Sequence, residues 1–559
     1  SICLIFYVLQ IYHICRKLHT FWDTTQDFHK ALHKLYFSEY QILAEKNTTP
    51  EFSHDIWENL AKWLHKQKSY DPKNLADPEP LAAIRETHRI LSQPLQEMKI
   101  GQEIPEELTA ALNNNIFYFS GFKTHHELVQ ASRMLKDSDG NFKPFHKFLN
   151  DIETLNKTYN KNYLRAEYNF ATASTQMAVK WKEWEQDEER YNLQYRTAGD
   201  DRVREEHAAL NGVTLPPSDP FWNSYLPPNG WNCRCTTVQV RKNKYPQSNS
   251  EKAMAAGAAC TAKPKQQIFR FNPGKTMTVF PPKHPYYKAN GEVKKTVEKI
   301  TSDETRLEEI IKELPDNLTN EEKKAIAQNC IDIEKTLNIT KGKPMSIEEA
   351  DEQKANPNFV PKFIPDPNGT FRDKSGNRYS RNPKYNEKIH ERFSINCQTC
   401  TPAYLLRIRG FNLYAKGCTD GSKSEYLSYG NNAWEIWRNA DGTPATHVST
   451  NNWMKRKGYK QMTKKRYEEF FNETCKDEGI YGLSIAWKKG SGHMTILQRT
   501  KEGVLLHVEP QKDNSSNRSI EHLCVDGLTQ RMSNCRGIMR IDNKILNTKY
   551  LEIFNVTDQ

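Results

Sequence analysis

The chain has 559 residues, enough for three or four domains of about 150 residues each, with 27% charged and 37% hydrophobic residues and a formal net charge of +11. That balance is of a globular protein with extended connecting segments; it favours acidic partners such as nucleic acid but lacks the dense basic block of a dedicated binder. Twelve cysteines spread over so long a chain exclude a small disulfide-stapled secreted domain and point to a reducing compartment.

Residues 1–20 open with SICLIFYVLQIYHIC, an apolar run too short to cross a bilayer as a helix. No basic segment precedes it, no small-residue cleavage site follows it, and the first residue is not methionine. It reads as an upstream-translated or partial start, with a buried helix the next alternative and a membrane anchor the last, and no stable membrane span is expected. Residues 21–140 follow as a helical region, broken by SYDPKNLADPEP. Within it DIWENLAKWLHKQ sets Ile56, Leu60, Trp63 and Leu64 on one face, as an amphipathic helix requires.

The longest helical signal runs from Phe145 to Glu189, with Leu164, Tyr168, Ala171, Ala178 and Trp181 at three-to-four-residue spacing. It gives way to LQYRTAGDDRVREEHAALNGVTLPPSDPFWNSYLPPNGWNCRC, whose Pro and Gly density rules out regular helix or central strand. Its aromatic residues need burial, so an ordered irregular layer is expected. Cys233 and Cys235 flank Arg234, so both thiols of an extended chain face one way, and His207 makes a third candidate metal ligand. A structural zinc takes four ligands, however, and only three are in view. Packed free thiols lead the alternatives, ahead of a metal site and a disulfide. RTAGDDRVREEH alternates acids and bases; Asp200, Arg204 and His207 are expected to pin the layer in place of forming a catalytic carboxylate pair.

Taken together, that segment, the helix before it and FRFNPGKTMTVFPPKHPYY after it resemble the phage Mu F-like minor head proteins, the head-morphogenesis family, over Phe145 to Tyr287. The domain is placed at 141–290. The resemblance implies a low-copy capsid component made in the bacterial cytoplasm. Its partners would be the portal and other capsid proteins, with packaged DNA as a further one, and no enzymatic activity is implied for this part.

Residues 291–385 are expected to be a linker: a charged helical stretch with few large apolar residues, then a Pro/Asn-rich run. Residues 386–559 look like an α+β domain, with helical patterns followed by strand-like GLSIAW, HMTILQR and GVLLHVE. At its start stands INCQTCTPAYLLRIRGF, which raises three readings. As a zinc clip, Cys397 and Cys400 lack a second close ligand pair, and as a redox pair they lack a preceding strand. As a nucleophile, Cys397 would take the first position of a helix capped by Asn396 and closed by Gly410, where unpaired N–H groups favour a thiolate. Pro402 permits a different start, with Thr401 as cap, which would leave Cys400 just outside the helix. The sequence leaves the choice of thiol open.

A cysteine nucleophile needs a base, and the base an orienting group. His493 opens one strand and GVLLHVE returns after a short turn, so the two pair antiparallel and His493 comes opposite Pro510, give or take one residue. Either Glu509 or Gln511 then reaches the imidazole. His507, inside an apolar strand, reads as a satisfied core histidine.

INCQTCTPAYLLRIRGFNLYA, GSGHMTILQ and VEPQ further resemble the papain-like fold toxin domains of bacterial and phage polymorphic toxins, over about Pro344 to Phe554. By that resemblance Cys397 is the nucleophile, His493 the general base, Glu509 the orienting acid and Gln511 a supporting polar residue. Glu509 stands where aspartate is common, and Pro402 is also a departure. The fold class expected is multidomain: mainly α-helical N-terminal and head-morphogenesis regions, then an α+β papain-like domain. The function expected is a virion protein whose tail enters the host and hydrolyses amide bonds, as protease or glutamine deamidase. A host protein substrate and an immunity protein join the partners, and no cofactor is needed. The alternatives are a structural virion protein with an inactive tail and a nuclease-type toxin tail.

Overall fold

The computed structural model describes Leu32, Leu35, Tyr36 and residues 50–101, 103–350, 352–373, 376–487, 492–512, 518–521, 523–524 and 532–556. The apolar leader placed at 1–20 lies outside them. The chain forms two compact units, residues 1–302 and 303–559.

In the first unit Ser53 caps the helix His54–Gln67, its hydroxyl accepting from the Ile56 N–H. That helix buries Trp57, Leu60, Trp63 and Leu64, with Ile56 at the edge of the same face. The Asp/Pro-rich break is a 3-10 turn, Pro72–Ala76, capped by Asp71. The helices Pro78–Gly101 and Glu106–Arg133 follow. Phe145–Asn156 then runs through a π-helical stretch, Lys157–Tyr163, into Leu164–Trp184, which buries Leu164, Ala171, Ala178 and Trp181.

Trp57, Leu112, Phe148, Phe170, Trp231 and Tyr286 belong to one core. A helical region at 21–140 and a separate head domain at 141–290 are therefore not separate in packing. Single-faced amphipathic helices need a partner surface, and the later helices supply it. Lys123 and Glu167 are both sealed in this core, 2.5 Å apart, and Tyr36 donates to the same carboxylate at 2.7 Å.

Beyond Trp184 lies a three-stranded antiparallel sheet in the order Thr214–Leu215, Tyr191–Arg196, Thr236–Arg241. Tyr191–Arg196 is thus a central strand, against the sequence expectation for the segment beginning LQYR. The Gly- and Pro-dense portion starts only after it, and Leu193 and Tyr195 are fully buried. The remainder is the ordered irregular layer foreseen, packed around Trp181, Leu193, Trp222 and Tyr225.

The second unit begins well before residue 386. Leu307 and Ile310, then Ile326, Cys330 and Ile333, lie in its core on the helices Gly291–Glu313 and Asn320–Leu337, with Leu314 just beyond the first. The expected linker at 291–385 is therefore largely structural. Its apolar residues are few but recur every three to four positions, which suffices for a buried stripe. The central element is a five-stranded antiparallel sheet in the order Arg518–Ser519, Leu505–Val508, Gly492–Arg499, Gly479–Trp487, Met532–Arg540. The helix Cys397–Ile408 packs against Gly492–Arg499, giving an α+β unit. No helix among the described residues is long and apolar enough to cross a membrane.

Candidate active site

Asn396 occupies the N-cap position of Cys397–Ile408, which sets Cys397 first in the helix. The start at Thr401 does not occur, and Pro402 sits inside the helix. Asn396 does not cap with its side chain, contrary to expectation. Its amide donates to Asn356 Oδ1 at 3.0 Å and to the Lys416 carbonyl at 3.1 Å, and its Oδ1 accepts from Gln511 Nε2 at 3.3 Å. The side chain is committed to tying this helix to three other segments. At the other end Gly410 adopts φ +101°, where a Cβ would stand 2.4 Å from the Gly342 carbonyl oxygen.

The two cysteines differ sharply. Cys400 is fully buried, and that burial, together with Cys397 and Glu509 nearby, pushes its thiol well above the ordinary range. Cys397 is half-buried, and its thiol lies near Gln398 Oε1 at 3.6 Å. The free thiol at the helix start is thus the accessible one of the pair.

His493 comes from the paired strands. The register Ile496↔Val508 and Leu497↔His507 extrapolates to His493 opposite Gln511, within the one-residue latitude given above. The ladder ends at Val508, and the chain bends at Pro510, which brings Glu509 round to the imidazole. Glu509 Oε2 lies 2.5 Å from His493 Nε2, and Glu509 Oε1 accepts from the Gln511 N–H at 3.1 Å. Nε2 faces the carboxylate, which leaves Nδ1 for the thiol. The Cys397 thiol is among the groups that raise the His493 pKa. Burial by itself would lower the His493 pKa, but the Glu509 charge and the hydrogen bonds from Cys397 and Glu509 outweigh it and hold it up at about 10. Burial would raise the Glu509 carboxyl, yet the charge and hydrogen bond of His493 hold it below the ordinary range. The structure therefore sets Glu509 on the His493 imidazole, with the Gln511 backbone N–H on the acid and the Gln511 side-chain amide on Asn396, the residue before Cys397.

Three neighbours escaped the sequence reading. Asn356, in the expected linker, donates to the Gln511 carbonyl at 2.9 Å and the Phe393 carbonyl at 3.0 Å. Gln398 is buried with its amide donating to the Ser424 carbonyl at 2.6 Å. The Trp487 ring lies nearly parallel to His493, centroids 6.3 Å apart. None carries a local signature; Asn356 and Gln398 are placed by contacts between segments well separated in the chain, Trp487 by the pairing of its strand with that of His493. His507 is the satisfied core histidine foreseen, its Nε2 2.9 Å from Thr495 Oγ1. Such a constellation can hold a thiolate beside an imidazolium and deliver a proton to a leaving group.

The first unit carries a second cluster. His207 Nδ1 lies 3.5 Å from both Cys233 Sγ and Cys235 Sγ, and all the cysteines described are free thiols. Asp200 grips Arg234 through two bonds of 2.6 Å, and Arg204 donates to the Trp231 carbonyl at 2.7 Å. These bonds hold the turn that presents the two cysteines, the scaffold role expected of Asp200 and Arg204.

Comparison with known proteins bears on this first unit. Residues 137–238 match the family described as Phage Mu protein F like protein. Over 42 residues, 8% of this chain and 10% of the relative, the chain is 50% identical to the putative capsid assembly protein F of Escherichia phage Mu. Over 75 residues, 12% of this chain and 18% of the relative, it is 37% identical to the Mu-like prophage FluMu F protein of Haemophilus influenzae. The chain therefore spans less than a fifth of the length of either curated relative. No solved structure matches it.

Proposed function

We propose that this chain is a phage head protein whose second unit is a papain-like cysteine hydrolase acting on amide bonds. The head assignment is supported by the family match over 137–238 and by a relative named as a putative capsid assembly protein. Portal and capsid proteins are the partners that follow, with the chain made in the bacterial cytoplasm and carried in the virion beside packaged DNA.

The hydrolase assignment rests on one observation: the His493 ring lies 2.5 Å from the Glu509 carboxylate, with the Cys397 thiol among the groups that act on the ring. With the imidazole held protonated, the thiol proton has a place to reside, and the sulfur attacks an amide carbonyl carbon as thiolate. The carbonyl electrons move to oxygen, facing the N–H groups at the helix start that have no intrahelical acceptor. As the C–N bond breaks, His493 gives its proton to the departing amine or ammonia and a thioester remains. Water then adds to the thioester as His493 takes its proton, and Cys397 leaves. Peptide cleavage and glutamine deamidation differ only in which amide reaches the sulfur. The tail would act on a host protein after delivery, with an immunity protein guarding the producer.

Expression of the full chain in bacteria should slow growth, and Cys397→Ala should relieve it. Mass spectrometry of host proteins should then show new termini for a protease or a one-dalton gain at glutamine for a deamidase. Undiminished toxicity in Cys397→Ala, or degraded nucleic acid with intact proteins, would overturn the assignment.

A further inference from the structure

The cluster in the first unit sets two cysteine sulfurs on one imidazole nitrogen. A sulfur and a ring nitrogen make weak partners, yet two sulfurs converge on one nitrogen at the same separation, 3.5 Å. The three ligand atoms all lie within 4.8 Å of one another. Zinc binds sulfur at about 2.3 Å and imidazole nitrogen at about 2.0–2.1 Å, so a tetrahedral angle sets nitrogen and sulfur about 3.5 Å apart. The observed spacing is that of two edges of such a tetrahedron.

What the sequence reading lacked was a fourth ligand. Cys260 is the candidate. It ends the helix Ser250–Cys260 and is 1% exposed, outside the close group of three ligand atoms. It also shares the apolar cluster of Cys235 and Tyr195. Three segments would thus be stitched at one point: the short helix Glu205–Ala208, the turn before the strand Thr236–Arg241 (both cysteines), and the end of the helix Ser250–Cys260 through its own thiol.

We propose that His207, Cys233, Cys235 and Cys260 form a structural zinc site that fastens the irregular layer of the first unit. Three sulfurs and one nitrogen in a closed, buried setting select zinc over oxygen-preferring magnesium or calcium, and they leave no open position for catalysis. Binding releases the thiol protons, so affinity falls as pH drops. The site also gives the layer a covalent-like anchor where Pro and Gly density denies it backbone pairing. It is independent of the chemistry proposed for the second unit.

The test uses the full chain carrying Cys397→Ala, purified reduced and without chelator. Elemental analysis should return about one zinc per chain. A chelator should lower the melting temperature, and added zinc should restore it. Cobalt added to the stripped chain should give intense tetrahedral ligand-field bands with a thiolate-to-cobalt charge-transfer band. Cys260→Ser should cut that band by about a third and weaken zinc binding at least tenfold, in line with one thiolate lost of three. Absence of both zinc and the cobalt spectrum from the unmutated cluster would overturn the site. An unchanged band in Cys260→Ser would overturn the fourth ligand. Both spectroscopic readouts use chains with His207, Cys233 and Cys235 intact, so misfolding of harsher variants does not cloud the answer.

Discussion

At the residue scale the choice between two thiols three positions apart is made by burial. Cys400 points into the core beside Ala403 and Leu406, where an ionised sulfur is penalised, while Cys397 stays reachable at the helix start. Iodoacetamide followed by peptide mapping should label Cys397 in the native chain and spare Cys400 until the protein is unfolded. Equal labelling of both would contradict this placement. The His493–Glu509 contact makes a second forecast. A histidine raised to about 10 contributes stability fully below its ordinary value of 6.5, loses it progressively as pH rises, and has none left above pH 10. Glu509, lowered from 4.5, contributes above that value and loses its share as pH falls. The melting-temperature advantage of the wild type over Glu509→Gln should therefore peak between about pH 4.5 and 6.5 and vanish by about pH 10. A difference independent of pH would show that the pair is not charged. That Glu509 or Gln511 would meet His493 was legible in the sequence, because hairpin register follows from strand spacing. Which of the two does so was not, since it depends on the bend at Pro510.

At the scale of elements, buried charge and tight glycine sites carry the exposed risks. Lys123 on Glu106–Arg133 and Glu167 on Leu164–Trp184 are both fully buried. Removing one partner strands the other, so Lys123→Met should cost about 3–5 kcal/mol in a denaturant titration, and adding Glu167→Leu should recover a large part. An additive double mutant would mean the two groups do not interact. Gly410 closes the Cys397 helix in a conformation that L side chains rarely adopt, pressed against the Gly342 carbonyl. Gly410→Ala should lose about 1–3 kcal/mol from backbone strain, with the clash in addition. The sequence predicted this glycine as a helix stop, because the pattern is local. It could not predict that Asn396 would abandon its capping role, since its partners Asn356, Lys416 and Gln511 are up to 115 positions away.

For the whole molecule, the decisive fact is where the second unit begins. Leu307, Ile310, Ile326 and Ile333 are fully or nearly fully buried in its core, Gly342 N–H donates to the Gly410 carbonyl at 3.0 Å, and Asn356 braces Asn396 and Gln511. A fragment of residues 386–559 omits the four core residues, Gly342 and Asn356. It should melt without a cooperative transition and lose the selective labelling of Cys397, whereas residues 303–559 should keep both. A well-folded 386–559 fragment would show that the preceding helices are dispensable.

The sequence by itself determined what short-range periodicity and ordered motifs encode: the amphipathic helices, the antiparallel strands, the segment matching the Mu F-like family, and the nearness of His493 to an acid or amide. The tertiary structure alone decided which sulfur is accessible and that a polar-looking stretch from residue 303 is core. Those outcomes depend on contacts between remote segments, where burial and a few well-placed hydrogen bonds outweigh local pattern. Three or four apolar residues per helix give too faint a signal until the surface they cover is known.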